Sequence, residues 1–162
     1  MPKSMAAIPD AHDTWSTLIR VLVVDDFDPF REFVCSNLRK SAELQVVGEA
    51  SDGLEAVQKA SEILPDLIVL DIGLPLLNGI EAARRIRDIS SKSKILFVSQ
   101  ECSDDVVQEA LILGNGYIVK THAGKELLPA VAELRRGCRF IGEGVPRFGI
   151  ADQVLAQSAQ SP

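Results

Sequence analysis

Pro65-Asp66-Leu67-Ile68-Val69-Leu70-Asp71, continued by Ile72-Gly73-Leu74-Pro75-Leu76-Leu77-Asn78-Gly79, is the stretch on which the reading of this chain turns. Its first half is almost wholly apolar and rich in β-branched residues, the composition of a strand buried on both faces. It stops on a carboxylate, and Gly and Pro turn punctuation follows. Asp71 is therefore expected at the carboxyl end of a central strand. In open parallel α/β sheets ligands bind at that edge, because the strands stop there and the connecting loops diverge to leave a crevice.

Working outward toward the N-terminus, Leu44 to Val47 reads as a strand, and Asp52 with Glu55 three residues later forms a capping box. The helix behind it carries Ala56, Val57, Ala60 and Ile63 on one face. Ile19 to Val24 is a first buried strand ending on Asp25-Asp26. Asp28-Pro29 then marks a helix start, with Asp28 as cap and Phe30, Phe33, Val34 and Leu38 at helical spacing. Toward the C-terminus, Asn78 with Glu81 opens a helix that turns Ile80, Ala83, Ile86 and Ile89 inward and Arg84, Arg85 and Arg87 outward. Ile95 to Val98 is a strand ending on Ser99. Ser103 caps a helix carrying Val106, Val107, Ala110 and Leu111, and Gly114-Asn115-Gly116 ends it. Tyr117-Ile118-Val119 is a short strand ending on Lys120. A last helix runs from about Gly124 to Arg136, with Leu127, Leu128, Val131 and Leu134 inward, and Pro129 within it must either remove one backbone bond or push the start later.

Five strands alternating with five helices predict an α/β fold of flavodoxin-like (CheY-like) type, a doubly wound five-stranded parallel sheet with helices on both faces. The expected domain spans residues 19–138, between a polar N-terminal arm (1–18) and a loosely ordered C-terminal tail (139–162) rich in Gly, Pro, Gln, Ser and Ala. In a parallel sheet the ends of the first, third, fourth and fifth strands share one edge. Three carboxylates (Asp25, Asp26, Asp71), one hydroxyl (Ser99) and one ammonium (Lys120) should converge there from distant parts of the chain.

Composition restricts the alternatives. At 162 residues, 46% hydrophobic and 25% charged, the chain suits one globular domain, and a net charge of -6 argues against an extended nucleic-acid surface. Cys35, Cys102 and Cys138 are odd in number and far apart, which implies neither a disulfide framework nor a zinc site. Neither a signal peptide nor an apolar run long enough to span a bilayer is visible, so a cytoplasmic protein without membrane partners is expected. His12 and His122 read as exposed loop residues.

Three carboxylates beside one lysine suit a hard divalent cation held by oxygens, with Mg²⁺ the abundant candidate. The cation would neutralise an incoming phosphoryl group, Asp71 would be the attacking carboxylate, Ser99 could donate to a phosphoryl oxygen, and Lys120 could supply positive charge. Taken singly, each piece has a plainer role: the acid pair as capping chemistry, Asp71 as a turn former, Tyr117 as packing. Their joint occurrence at the ends of the correct strands favours the site.

The residues Val21-Leu22-Val23-Val24-Asp25-Asp26, Val69-Leu70-Asp71 with Leu74-Pro75 and Asn78-Gly79, Phe97-Val98-Ser99, and Gly116-Tyr117-Ile118-Val119-Lys120 together closely resemble the receiver domain of bacterial two-component response regulators, most like the NarL type. The resemblance runs from about Arg20 to Ile141. It implies that Asp71 accepts a phosphoryl group from a sensor histidine kinase or a phosphotransfer protein. Asp26, Asp71 and the main-chain carbonyl of Gly73 would bind Mg²⁺, with Asp25 assisting through water. Ser99 would be the switch hydroxyl and Tyr117 the switch aromatic. Enzymatic activity would be confined to the protein's own phosphorylation and dephosphorylation. Three features depart from the pattern: Gly114-Asn115-Gly116 is one residue short, Lys120 is followed by Thr121 where many receivers carry proline, and no helix-turn-helix is legible after Arg139. The expectation is a stand-alone receiver that signals by protein contact, as a homodimer or on another regulator or kinase through the fourth helix, fifth strand and fifth helix. The alternatives are a receiver-like module that takes no phosphate, a piece of a longer DNA-binding regulator, and a haloacid-dehalogenase-like phosphatase. The last needs a second acid two residues after its nucleophile, and Asp25 is followed at that spacing by Phe27.

Overall fold

The computed structural model describes residues 18–147. The elements run β1 (Ile19–Val24), α1 (Asp28–Leu38), β2 (Leu44–Ala50), α2 (Gly53–Ile63), β3 (Leu67–Leu70), α3 (Gly79–Ile89), β4 (Lys94–Ser99), α4 (Asp104–Leu113), β5 (Gly116–Val119), α5 (Ala123–Arg135) and β6 (Phe140–Ile141). The strands form one sheet in the order β2-β1-β3-β4-β5-β6, and every pairing is parallel. The order reverses between β1 and β3, which places the crevice at the carboxyl ends of those two strands.

Strand period and helix period together divide the core in two. Ile68 and Leu70 of β3 join Leu22, Val24, Ile95 and Phe97 on the face covered by α2, α3 and α4 through Ala56, Ala60, Ala83, Ile86, Val107 and Leu111. Leu67 and Val69 point the other way, with Val21, Val23, Leu96, Val98 and Ile118, under Val34 and Leu38 of α1 and Leu127, Val131 and Leu134 of α5. Two-sided burial explains the unbroken apolar run of β3, each side chain of which contributes about 1.5–3 kcal/mol.

Local chemistry sets the helix starts. Asp52 accepts from the Glu55 N–H (2.7 Å) while Glu55 reaches back to the Ser51 N–H (2.8 Å). Asn78 accepts from the Glu81 N–H (3.0 Å). Gly79 is required at the first position of α3, since a Cβ there would lie 2.0 Å from the Asp71 carbonyl oxygen. That close approach seats the start of α3 against the backbone that ends β3.

Several expectations are corrected. The sheet has six strands among the described residues, not five, because Phe140 and Ile141 pair with Gly116 and Tyr117 just where a loose tail was expected. A two-residue strand carries no readable period. The first helix is capped by Phe27 without a side-chain bond, and Asp28 is already helical. Ser103 holds the cap position of α4 but makes no capping bond. Ile89 is 42% exposed. Arg87, expected in solvent, is half-buried and holds main-chain carbonyls at the end of α4 and before β4. Pro129 sits within α5, as expected, and the helix start is not pushed later. Residues 1–17 of the expected arm (1–18), and the expected tail beyond Arg147, lie outside the described residues.

Candidate functional site

The chain leaves β1 at Asp25, which is buried, and turns at Asp26, which is exposed. This change of direction lets two consecutive acids serve one crevice although strand neighbours face opposite ways. Asp25 is fixed from several sides. Its Oδ1 accepts from the Phe27 N–H (2.8 Å), and its carbonyl accepts from Arg31 (2.8 Å). Asp71 follows β3 at once and is 5% exposed. Its Oδ1 accepts from the Ile72 N–H (2.8 Å) and its Oδ2 from Lys120 Nζ (3.2 Å).

Lys120, at the end of β5, stands between the two buried acids, 2.8 Å from Asp25 Oδ2 and 3.2 Å from Asp71 Oδ2. Its ammonium also lies 4.7 Å from the centroid of the Phe30 ring, a cation–π contact that helps to orient it. One carboxylate oxygen from each of Asp25, Asp26 and Asp71 lies within 4.8 Å of the others. Three carboxylates against one ammonium leave a formal charge of −2 at one point of the surface.

The electrostatics follow from that imbalance. Burial, then the neighbouring Asp25, pushes the Asp71 carboxyl above the ordinary carboxylate range, with Lys120 acting against them. Burial alone would lower the Lys120 pKa; the hydrogen bond to Asp25 and the charges of Asp71 and Asp25 outweigh it and raise it. A hard divalent cation suits this donor set, because oxygen ligands of unneutralised charge are its preferred partners.

A cleft of about 350 Å³ opens over these groups, lined by Asp26, Phe27, Asp71, Gly73, Ser99 and Lys120 together with Ile72, Gln100 and Glu101. Asp25 stands behind this lining, reached through Lys120. Ser99 is 2% exposed, and its Oγ accepts from the Glu101 N–H (3.1 Å). Tyr117 does not line the cleft. It is fully buried beside Phe97, with ring centroids 6.1 Å apart, and its hydroxyl donates to the Glu101 carbonyl. Burial drives its phenol pKa far up, so it is a donor at any ordinary pH. Sequence reasoning missed Phe30, which carries Lys120, and Glu101, which binds both Ser99 and Tyr117. Phe30 was visible only as a core residue, and Glu101 acts through its main chain, which leaves no sequence signal.

The Gly114-Asn115-Gly116 segment is tied to β4 and α3 by a side chain. Asn115 Oδ1 accepts from the Ile95 N–H (2.9 Å) and also from Arg87 (3.1 Å). The Lys120–Thr121 peptide is trans, as no cis bond occurs among the described residues.

Acids, lysine and hydroxyl at these strand ends define a class, and comparison with known proteins agrees. The chain belongs to the response regulator receiver domain family, whose pattern matches residues 21–132. Such receivers are two-component signalling modules. Among curated proteins it is 37% identical over 120 residues to the response regulator protein VraR of Staphylococcus aureus, covering 74% of this chain and 57% of that protein. The chain thus spans somewhat more than half the length of the curated relatives it matches. Among solved structures, the signal receiver domain of NarL from Mycobacterium tuberculosis is 32% identical, with a TM-score of 0.70 over 75% of this chain and 99% of that one. The response regulator domain of Thermotoga maritima CheB is 36% identical, with a TM-score of 0.66 over 75% and 96%. No helix of the described residues is long and apolar enough to cross a membrane.

Proposed function

We propose that this protein is a cytoplasmic receiver that takes a phosphoryl group on Asp71 from a sensor histidine kinase or phosphotransfer protein, in a Mg²⁺-dependent reaction, and signals by protein contact. The observation that carries this is the cluster of three carboxylates, only partly neutralised by Lys120, in an open cleft at the switch point of the sheet. The working unit is the domain of residues 19–138 together with strand β6.

In the proposed reaction one Asp71 carboxylate oxygen attacks phosphorus, an O–P bond forms, and the bond to the donor's imidazole nitrogen breaks. Asp71 Oδ1 is oriented by the Ile72 N–H and Oδ2 by Lys120, so the nucleophile is held in place before the donor arrives. Asp26, Asp71 and the Gly73 carbonyl would hold Mg²⁺, with Asp25 behind them. The bound cation supplies charge stabilisation for the phosphoryl oxygens. Lys120 stabilises the transferred group once its charge replaces that of the free carboxylate. Ser99, released from the Glu101 N–H, donates to a phosphoryl oxygen. Tyr117 repacks with it and alters the side formed by α4, β5 and α5, the surface proposed for a homodimer or for docking on another regulator or kinase. Loss of the phosphoryl group is the only other reaction proposed.

The test is incubation with a small-molecule phosphodonor and Mg²⁺, read by intact mass. One phosphoryl group should be added to the wild type and none to Asp71→Asn or in the presence of a chelator. Equal labelling of the variant would overturn the assignment, and turnover of a generic phosphate ester would favour a phosphatase instead. Titration with duplex DNA tests output by contact: binding that weakens steeply with salt would show a nucleic-acid surface.

A further inference from the structure

The residues after α5 are anchored at many points, most of them on β5, on the turn that precedes it, or on the helices beside it. The Phe140 N–H donates to the Asn115 carbonyl (3.2 Å) and the Gly142 N–H to the Tyr117 carbonyl (2.9 Å), so β6 covers the β5 edge. Ile141 and Val145, 7% and 6% exposed, join the core cluster that contains Tyr117. Arg139 donates to the Leu111 and Gly114 carbonyls at the end of α4. The Glu143 N–H donates to Glu126 Oε2 on α5 (2.8 Å), and the Arg147 guanidinium folds back to the Ile141 carbonyl.

Tyr117 is held from both directions. Its hydroxyl is bonded to Glu101, in the loop after Ser99, and its carbonyl to Gly142. Resting on the function proposed above, we infer that residues Phe140–Arg147 form a strap that occupies the β5 edge between α4 and α5 while Tyr117 is packed inward, and leaves that edge when phosphorylation of Asp71 repacks Tyr117. A contact surface built on α4, β5 and α5 would then be open only in the phosphorylated protein.

Three features make the strap releasable. Its ladder to β5 is two residues long, and its buried apolar anchors are Ile141 and Val145, with Phe140 only half-buried against the opposite face, so ordering the backbone of the segment is only narrowly repaid by burial. Glu126 Oε1 is buried without a hydrogen-bond partner while the strap is seated, and water would reach it once the strap lifts. An uncovered strand edge is itself a ready site for pairing. Segments with these properties open locally well below the free energy of global unfolding.

The experiment is amide hydrogen exchange of the whole chain, read on peptides covering residues 138–147 and 100–107, with intact mass on the same samples. In wild type with phosphodonor and Mg²⁺, the 138–147 peptide should exchange about ten-fold faster once Asp71 is phosphorylated. Unchanged protection in fully phosphorylated protein would overturn the inference. A second arm needs no phosphate: Val145→Asp should unseat the strap and speed exchange of residues 100–107 through Tyr117. Arg147→Ala provides a milder version if Val145→Asp does not fold. Faster exchange in 138–147 alone would mean that the strap is not coupled to Tyr117, and would overturn the inference as well. If intact mass shows no phosphate on the wild type, the function reading fails, and the second arm decides the coupling by itself.

Discussion

The two edges of this sheet handle buried charge in opposite ways. At the amino edge, Arg87 donates from Nε to the Leu113 carbonyl (2.6 Å), from Nη1 to the Ser93 carbonyl (2.6 Å) and from Nη2 to Asn115 Oδ1 (3.1 Å). Its charge is spread over the carbonyl ends of α4 and of the chain approaching β4, a favourable place for a cation. Burial, then Arg139, lowers its pKa. At the carboxyl edge, Asp25, Asp26 and Asp71 face a single Lys120, whose pKa is raised because its acids outweigh burial. Arg87 closes its part of the structure, whereas the acid edge is left short of positive charge. The lesson is that an incompletely neutralised cluster points to chemistry when it lines an open cleft, and not when main-chain carbonyls take up its donors as they do for Arg87 and Arg139.

The largest effect is expected at Asp71. Asp71→Asn should abolish phosphoryl uptake by intact mass, while Arg87→Ala should leave it intact; loss of uptake in both would remove the distinction between the edges. Next in size is the cation. Asp26→Ala should weaken Mg²⁺ binding roughly 10–100-fold, judged from the effect of altering groups around a metal, with Asp104→Ala on the exposed start of α4 unchanged; titration calorimetry would decide.

Stability sharpens the contrast further. Lys120→Met leaves two buried acids unpaired and should destabilise the fold by about 3 kcal/mol in chelator, with much of the loss restored by saturating Mg²⁺. Arg87→Ala should lose about 1–3 kcal/mol from abandoned carbonyls, equally with and without Mg²⁺. Urea denaturation measures both, and a Mg²⁺-dependent loss in Arg87→Ala would contradict a purely structural amino edge.

The smallest effect is on pH. The folded-state pKa of Asp71 is raised, so the unfolded chain loses that proton first as pH rises, and ionising Asp71 opposes folding. Without Mg²⁺, Asp71→Asn should therefore exceed wild type in stability at neutral pH, as read by urea denaturation. The difference should shrink as pH falls through the raised folded value toward the ordinary carboxylate value of 3.8. A difference that grows on acidification would mean that Lys120 dominates the site.

Much of the site was readable because its residues sit at strand ends, and strand ends are marked by local pattern. The apolar run Leu67–Leu70 and the acid after it define one end, and Val21–Val24 with Asp25-Asp26 another. The capping residues Asp52 and Asn78 are likewise legible, since their partners lie three residues away. Arg87 was misread as solvated because its partners lie up to 28 residues on in the chain. Ile89 matched the apolar period of α3 yet falls at its exposed last turn.

By itself, then, the sequence determined the alternation of strands and helices, the parallel sheet it implies, and which polar residues would meet at its carboxyl edge. These rest on periodicity and capping, interactions within a few residues that any chain of this pattern would make. Only the tertiary structure decided that Lys120 bridges Asp25 and Asp71, that Tyr117 lies inward with its hydroxyl on the Glu101 carbonyl, and that Phe140–Arg147 close over β5. Those outcomes depend on distances between segments far apart in the chain, and on main-chain groups that every residue type carries alike.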